Sequence, residues 1–387
     1  MIPVAEALSQ VLALARPTEP ETVRLQQACG RVPVGPLAAR RDQPPFDASA
    51  MDGYAFRGPA RIGDTLRIVG ESQAGGGYAG TLTDGEAVRI STGAPIPDGA
   101  THVVMQEDTR REGERLIFTA DVPTVRHIRR RGQDFHAGQP FAPRRLRPAD
   151  LALLAAMDVP ELAVYRRPVI AIIATGDELE MPGSPMRDDQ IPAANGFALK
   201  AMVEAEGAIG RMLPIARDDA DHLRAVFELA RGADVIVTIG GASVGDHDKV
   251  AEVSAAMGMS RTFHKVAMRP GKPLMAGRFG ETPMLGLPGN PVSAIVCAHL
   301  FLLPLIRAMT GREAEHQMRH APLTADLPEN GPRAHYMRAH VGPDGIVPFA
   351  EQDSSLMLRL TEANALLVRP PHDPPRRAGE IAAYLPF

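Results

Sequence analysis

The stretch that decides the fold is ADVIVTIGGASVGDHDKV, Ala233–Val250. Its run Val235–Ile239 is apolar or β-branched without polar alternation, which predicts a strand buried on both faces, as in a parallel sheet. The run ends in Gly240-Gly241, followed by Ser243, Gly245, Asp246 and Asp248. Glycines permit a sharp turn and let a ligand approach main-chain N–H groups closely. Ser243 can donate to a phosphate. Asp246 and Asp248 project to one side of an extended loop, where they can share a hard cation such as Mg2+. Taken alone, a tight turn with a solvated acidic end accounts for these residues equally well.

Outward from this stretch, strand and helix alternate. VIAIIAT (Val169–Thr175) reads as a second buried strand, and a helix is expected from Asn195, as its N-cap, to Gly207. MLPIA reads as a strand, DADHLRAVFELARG as an amphipathic helix ending at Gly232, and Lys249 to Gly258 as another helix. PMLGLPGNPVSAIVCAHLFLLPLI gives a short strand, a turn and a helix capped by Asn290 with Pro291 at its first position. The alternation predicts an α/β unit with a doubly wound, mostly parallel sheet, whose ligands bind at the carboxyl ends of the strands.

The flanks differ. Residues 1–16 and RPADLALLAAM (Arg147–Met157) look helical, whereas residues 44–134 carry glycine and short β-like runs such as DTLRIVGES and GEAVRIS. After about residue 316 strand and turn return: HYMRAHVGPDGIVPFAEQ is a hairpin signal with Asp344-Gly345 in the turn, and the whole reads as a small β-barrel. The expected domains are a discontinuous N-terminal linking domain (1–43 and 135–165), an inserted β-rich domain (44–134), the α/β domain (166–316) and the barrel (317–387).

Composition bounds the function. A chain of 387 residues suggests two to four domains, and a formal net charge of -4 argues against a general nucleic-acid binder. Cys29 and Cys297 stand far apart, so neither a disulfide scaffold nor a zinc cluster is expected, and a reducing cytoplasm fits best. The N-terminus lacks a basic leader, which predicts no signal peptide. AIVCAHLFLLPLI is read as a core helix, too short to span a bilayer. No GxxxxGK[ST] or GxGxxG loop occurs, which disfavours a P-loop nucleotidase and a dinucleotide dehydrogenase.

Three further loops share the expected sheet edge. ATGDELEMPG places Asp177 and Glu178 directly after a strand, for a metal or a sugar hydroxyl. MRPGKPLMAG flanks a Pro-Gly turn with Arg269 and Lys272, which can converge on one anion. GLPGNPVSA stiffens a strand-to-helix turn with Pro288 and Pro291 and exposes Asn290 and Ser293 at a helix N-terminus, an end that favours anions. Each alone reads as readily as an ordinary turn or cap; together they describe a site for a phosphorylated ligand and Mg2+. Outside the sheet, Asp47 and Asp52 in PPFDASAMDGYAF and Ser91-Thr92-Gly93 in RISTGAPIPDGA are more simply turns. The basic run Arg126, Arg129, Arg130, Arg131 before Asp134 is more simply a solvated face.

PPFDASAMDGYAF, ISTGAPIPDGA, RRRGQDF, ATGDEL, GGASVGDHD, MRPGKP and LPGNPVSA occur in the order found in the molybdopterin molybdenumtransferase family, which includes MoeA and the E domain of gephyrin, and the chain resembles that family from about residue 3 to its end. The resemblance implies an elongated multidomain subunit and a homodimer, each cleft lined by the sheet domain of one subunit and the inserted module of the other. It implies insertion of molybdate into adenylylated molybdopterin with Mg2+-assisted release of AMP. Gly240, Gly241, Ser243, Gly245, Pro288, Asn290 and Pro291 would bind the pterin nucleotide, Asp246 and Asp248 the Mg2+, and Glu178 would line the pocket. Arg269, Lys272, Ser293, Arg338 of HYMRA and Ser354 of EQDSS would grip molybdate, with Arg269 where the family carries lysine. Asp52, Thr92 and Asp134 would come from the partner subunit. Possible protein partners are the adenylyltransferase and molybdoenzyme chaperones, with no nucleic acid and no membrane. The rival readings are the adenylyltransferase step itself, which needs only the sheet domain, a gephyrin-like scaffold, and a nucleotide pyrophosphatase of related fold.

Overall fold

The computed structural model describes residues 1–122, 126–241 and 249–387. The chain forms two compact units, one of Met1–Glu21 with Val164–Phe387 and the other of Thr22–Ala163.

The first unit is built on a six-stranded sheet. From edge to edge its strands are Ile209–Met212, Val169–Ala174, Val235–Ile239, Thr282–Leu287, Met275–Phe279 and Met259–His264. The first four run parallel; Met275–Phe279 pairs antiparallel to Thr282–Leu287, and Met259–His264 pairs antiparallel to Met275–Phe279. Side chains alternate across the pleat. Ile170, Ile172, Val235, Val237 and Ile239 therefore enter one core, with the helices Asn195–Ala205 and Pro291–Cys297. Ala171, Ile173 and Ile236 enter a second core, with the helices Ala220–Leu229 and Lys249–Ala256. Helices thus cover both faces, and every loop following a parallel strand emerges at one edge.

The first core extends beyond the α/β segment. The helix Val4–Leu12 adds Ala7 and Val11 to it, so the chain's first residues pack with the sheet unit and not with the segment 22–43, their expected companion. The C-terminal residues form a curled sheet in the order Met268–Arg269, Ala334–Gly342, Ala365–Arg369, Ile381–Pro386, Arg319–Pro322, with Gly345–Pro348 paired to Ala334–Gly342. An isolated bridge from Leu323 to Ile346 brings the far edge back. Gly342 pairs with Gly345, so the hairpin turn is Pro343-Asp344, one residue earlier than its Asp-Gly pair suggested.

Pro291–Met309 is one continuous 19-residue helix, longer than the sequence run suggested and apolar enough to cross a membrane by composition; but 83% of it is buried inside the fold. Ala298–Leu302 within it is a π turn. Pro304 lacks the N–H that an α turn would direct at Leu300, and its ring would clash there, so the helix widens just upstream. His299 in this turn stacks on His316 at 4.1 Å, and the Phe387 ring meets it edge-on at 5.3 Å. Burial, then the neighbouring His316 and Arg307, lowers the His299 pKa to about 3; burial and Arg307 also lower His316. An imidazole depressed in the fold binds its proton in the unfolded chain first, from about pH 6.5 downward. Stability of this unit should therefore be full above pH 6.5 and fall steadily toward pH 4, and His299→Phe should flatten that slope. A melting temperature constant between pH 7 and pH 4.5 would contradict it.

The second unit carries another six-stranded sheet, ordered His102–Met105, Gly53–Phe56, Glu86–Ile90, Thr65–Ser72, Arg115–Phe118, Thr109–Glu112. Its core centres on Phe56 and Phe118, packed edge-to-face at 5.2 Å.

Candidate active site

At the carboxyl edge of the parallel strands a cleft of about 1040 Å3 opens in the first unit. Glu178, Gly240, Arg269, Lys272, Pro288, Asn290, Pro291, Ser293 and Ser354 all line it, so the loops singled out in the sequence meet on one rim. The backbone explains the meeting. Gly240 has φ +94°, and a Cβ there would stand 2.8 Å from the Thr175 carbonyl oxygen, so only glycine lets this strand end pass so close to the first strand's end. Gly271, at φ +103°, backs onto Cys297, whose Sγ donates to the Gly271 carbonyl and seats the turn carrying Lys272. Arg269 is held from the other side, where Met268–Arg269 pairs in parallel with Ala334–His335.

The two asparagines expected as helix caps do something else. Asn195 lies inside its helix, and its Nδ2 donates to the Gly289 carbonyl at 2.7 Å. Asn290 occupies the cap position but makes no capping bond; its Nδ2 donates to Ser354 Oγ at 3.0 Å. Val292 N donates to the Ser354 carbonyl at 3.2 Å, so the loop 351–356 already takes one of the donors of the helix N-terminus. Both amides thus stitch loops across the cleft, a use that local capping rules do not signal.

The cations divide into two kinds. The Arg269 and Lys272 head groups are exposed and have no hydrogen-bond or ion-pair partner among the described residues. Arg333 also lines the cleft, with one long contact of 3.4 Å to the Met268 carbonyl. Arg338 does not line it. It is 1% exposed, and its guanidinium donates to the carbonyls of Glu351, Asp353 and Leu356, so it shapes the loop that presents Ser354. Arg338, expected among the anion donors, is thus turned to that loop, whereas Arg333, five residues earlier, lines the cleft. Alternation along the strand separates an odd from an even position, but which parity faces the cleft is set by packing. Asp353 accepts from Ser355 Oγ and N; these bonds, with Arg338 and Arg269 nearby, hold its carboxyl below the usual range.

Ser243, Gly245, Asp246 and Asp248 lie outside the described residues. Among those described, no group of three or more acidic, histidine or cysteine side chains is placed to hold a metal ion. Asp177 lies beside the cleft loop, its Oδ1 accepting from Asp218 N at 3.0 Å.

The second unit has its own cleft of about 530 Å3, lined among others by Gly93 and Asp134. Beside Gly93, Thr92 donates from N and Oγ1 to Asp52 Oδ1 at 2.6 and 2.9 Å, which lowers the Asp52 pKa. Asp52, Thr92 and Asp134, far apart in sequence, thus lie in one neighbourhood.

A cation-rimmed cleft thus opens at the strand ends, between a wound α/β sheet and a curled C-terminal sheet. Residues 2–157 match the MoeA N-terminal region (domain I and II), residues 171–308 a probable molybdopterin binding domain, and residues 320–387 the MoeA C-terminal region (domain IV). The chain is 35% identical to the molybdopterin molybdenumtransferase of Nostoc sp. over 90% of its own length and 85% of that protein's. It is 35% identical to molybdopterin molybdenumtransferase 2 of Mycobacterium tuberculosis over 98% and 97% of the two chains. The crystal structure of the molybdopterin biosynthesis MoeA protein from Pyrococcus horikoshii superposes with a TM-score of 0.85 at 27% identity, covering 100% of both chains. The chain belongs to the molybdopterin molybdenumtransferase family. It is a transferase of molybdenum cofactor biosynthesis, acting in molybdenum insertion.

Proposed function

We propose that the substrates are molybdate and adenylylated molybdopterin, and that AMP is released as molybdenum enters the dithiolene. The observation that carries this reading is the set of Arg269, Lys272, Arg333, Ser293 and Ser354 around one cleft at the strand ends. Molybdate is a dianion, and guanidinium, ammonium and hydroxyl donors suit its four oxygens. Two S–Mo bonds form and one Mo–O bond breaks; that oxygen leaves as water with the two thiol protons. Cleavage of the pyrophosphate consumes one water and frees AMP. Glu178, beside the cation set, is suited to take a proton from the entering thiols or water.

Mg2+ enters this reading through Asp246 and Asp248, to which the family resemblance assigns it. Bound there, it would take up the charge that develops on the phosphates. The protein is read as a cytoplasmic homodimer in which Asp52, Thr92 and Asp134 reach the partner's cleft, and the curled C-terminal sheet as a small barrel.

The test is AMP release from adenylylated molybdopterin with and without molybdate. Release that depends on molybdate supports the reading; ATP consumption with free molybdopterin would instead make the chain an adenylyltransferase. At a molybdate concentration too low for Lys272→Ala alone to turn over, mixing Asp52→Ala and Lys272→Ala subunits should restore about a quarter to a half of the wild-type activity if clefts are shared, because some mixed dimers carry one intact site. No recovery in mixed dimers would sink the shared cleft.

A further inference from the structure

The second unit has a further hollow of about 400 Å3, lined by Arg40, Arg41, Asp42, Arg131 and Asp158 among others. It shares only Pro45 with the cleft that holds Gly93 and Asp134. Main-chain bonds fix its walls. Arg40 N donates to the Met157 carbonyl at 2.8 Å, which ties the segment 40–45 to the turn after the helix Pro148–Ala156. Gln43 N donates to the Phe135 carbonyl at 2.9 Å, which ties the same segment to the loop 131–137. Arg130 Nη1 and the Arg131 main-chain N–H both donate to Asp47, and Arg131 Nε donates to Asp42. The second oxygen of Asp42 accepts from Ala137 N at 2.8 Å, so both of its oxygens are engaged.

The charges that remain are unequal. Arg40 and Arg41 are exposed and have no hydrogen-bond or ion-pair partner among the described residues. Arg131 uses only its main-chain N–H and Nε, which leaves both Nη groups open. Asp158 is also exposed and unpartnered among the described residues. Three guanidiniums therefore line one hollow with a single uncommitted carboxylate. Such a set suits the oxygens of one phosphate, to which guanidinium forks donate in pairs. The open carboxylate disfavours a second anionic group beside it and can accept from a hydroxyl. Asp158 has φ +63°, a conformation that asparagine adopts as readily, so the turn alone does not call for an acid. The volume fits a ligand of sugar-phosphate size.

We propose that the hollow lined by Arg40, Arg41, Arg131 and Asp158 is a separate anion site, which takes a small phosphate monoester bearing a hydroxyl group. The guanidiniums hold the phosphate, and Asp158 accepts from the hydroxyl. The site does not depend on the molybdate reading, since it lies in the other unit and shares no residue with the cleft of Arg269 and Lys272. Arg131 and Ala137 line it, while Asp134 of the same loop lines the neighbouring cleft, so a ligand bound here braces the loop that presents Asp134.

The experiment is calorimetric titration of the full-length protein with inorganic phosphate and with ribose 5-phosphate. It is run on Lys272→Ala protein, so that the oxoanion donors of the other cleft are weakened. Each chain should bind one phosphate, and adding Arg40→Gln and Arg41→Gln together should weaken that binding at least about tenfold. Both are exposed, so the melting temperature should move by about 2 °C at most. Lysine at both positions should keep part of the affinity, and raising KCl should reduce binding. Ribose 5-phosphate should bind severalfold tighter than phosphate. Asp158→Asn, which the turn accommodates, should abolish that preference while inorganic phosphate binds as tightly or more so. No saturable binding up to about 20 mM phosphate, or binding unchanged by the paired arginine substitutions, overturns the proposal. Equal binding of the two probes overturns the role given to Asp158.

Discussion

Lys272→Ala is expected to raise the molybdate concentration for half-maximal AMP release by about tenfold to a hundredfold. The ammonium is exposed and unpartnered among the described residues, at the end of a turn seated on Cys297. Its removal costs the fold almost nothing, and the melting temperature should move by about 2 °C at most. What is lost is one charge-assisted contact to a dianion, worth about 1.5–3 kcal/mol, and each 1.4 kcal/mol is a factor of about ten. The KM for adenylylated molybdopterin should barely change. Lys272→Arg should recover part of the affinity, since charge survives while reach and fork geometry differ. An unaltered molybdate response in a well-folded Lys272→Ala protein would remove this residue from the oxoanion site.

Arg338→Ala should instead act on the fold. It is 1% exposed and satisfies three main-chain carbonyls of the loop 351–356. Deleting it strands those carbonyls beside a cavity, a loss of about 3–5 kcal/mol by analogy with broken buried ionic networks, or on the order of 10 °C in melting temperature for a unit of this size. Arg333→Ala, at the cleft, should show the opposite profile: a normal melting temperature and a molybdate half-saturation raised at least severalfold. If Arg338→Ala melts like the wild type, or if Arg333→Ala binds molybdate normally, the division of roles between the two arginines is wrong. The comparison matters because the two stand five residues apart and look interchangeable on paper.

That pair marks where the sequence stops being legible. The strands were readable because burial on both faces leaves an uninterrupted apolar run, as in Val235–Ile239 and Val169–Ala174. The rim was readable because loops after parallel strands emerge at one edge. Asn195 was misread as a cap, and Asn290 holds the cap position without a capping bond, because a cap rule sees only the local chain, whereas their amides bond to Gly289 and Ser354, 94 and 64 residues away. Likewise the 19-residue helix Pro291–Met309 has the length and composition of a membrane span, and only its burial marks it as core.

By itself the sequence determined the alternating α/β order, the glycine and proline bends, and the gathering of cationic and acidic residues at those bends. These follow from period, backbone freedom and charge, which are properties of neighbouring residues. The tertiary structure alone decided which arginine meets the cleft, that helix Val4–Leu12 packs with the sheet unit, and that Arg130 and Arg131 are tied to Asp47 and Asp42. Those outcomes depend on partners distant in the chain, because a charge is committed or available only according to what folding brings within hydrogen-bond reach.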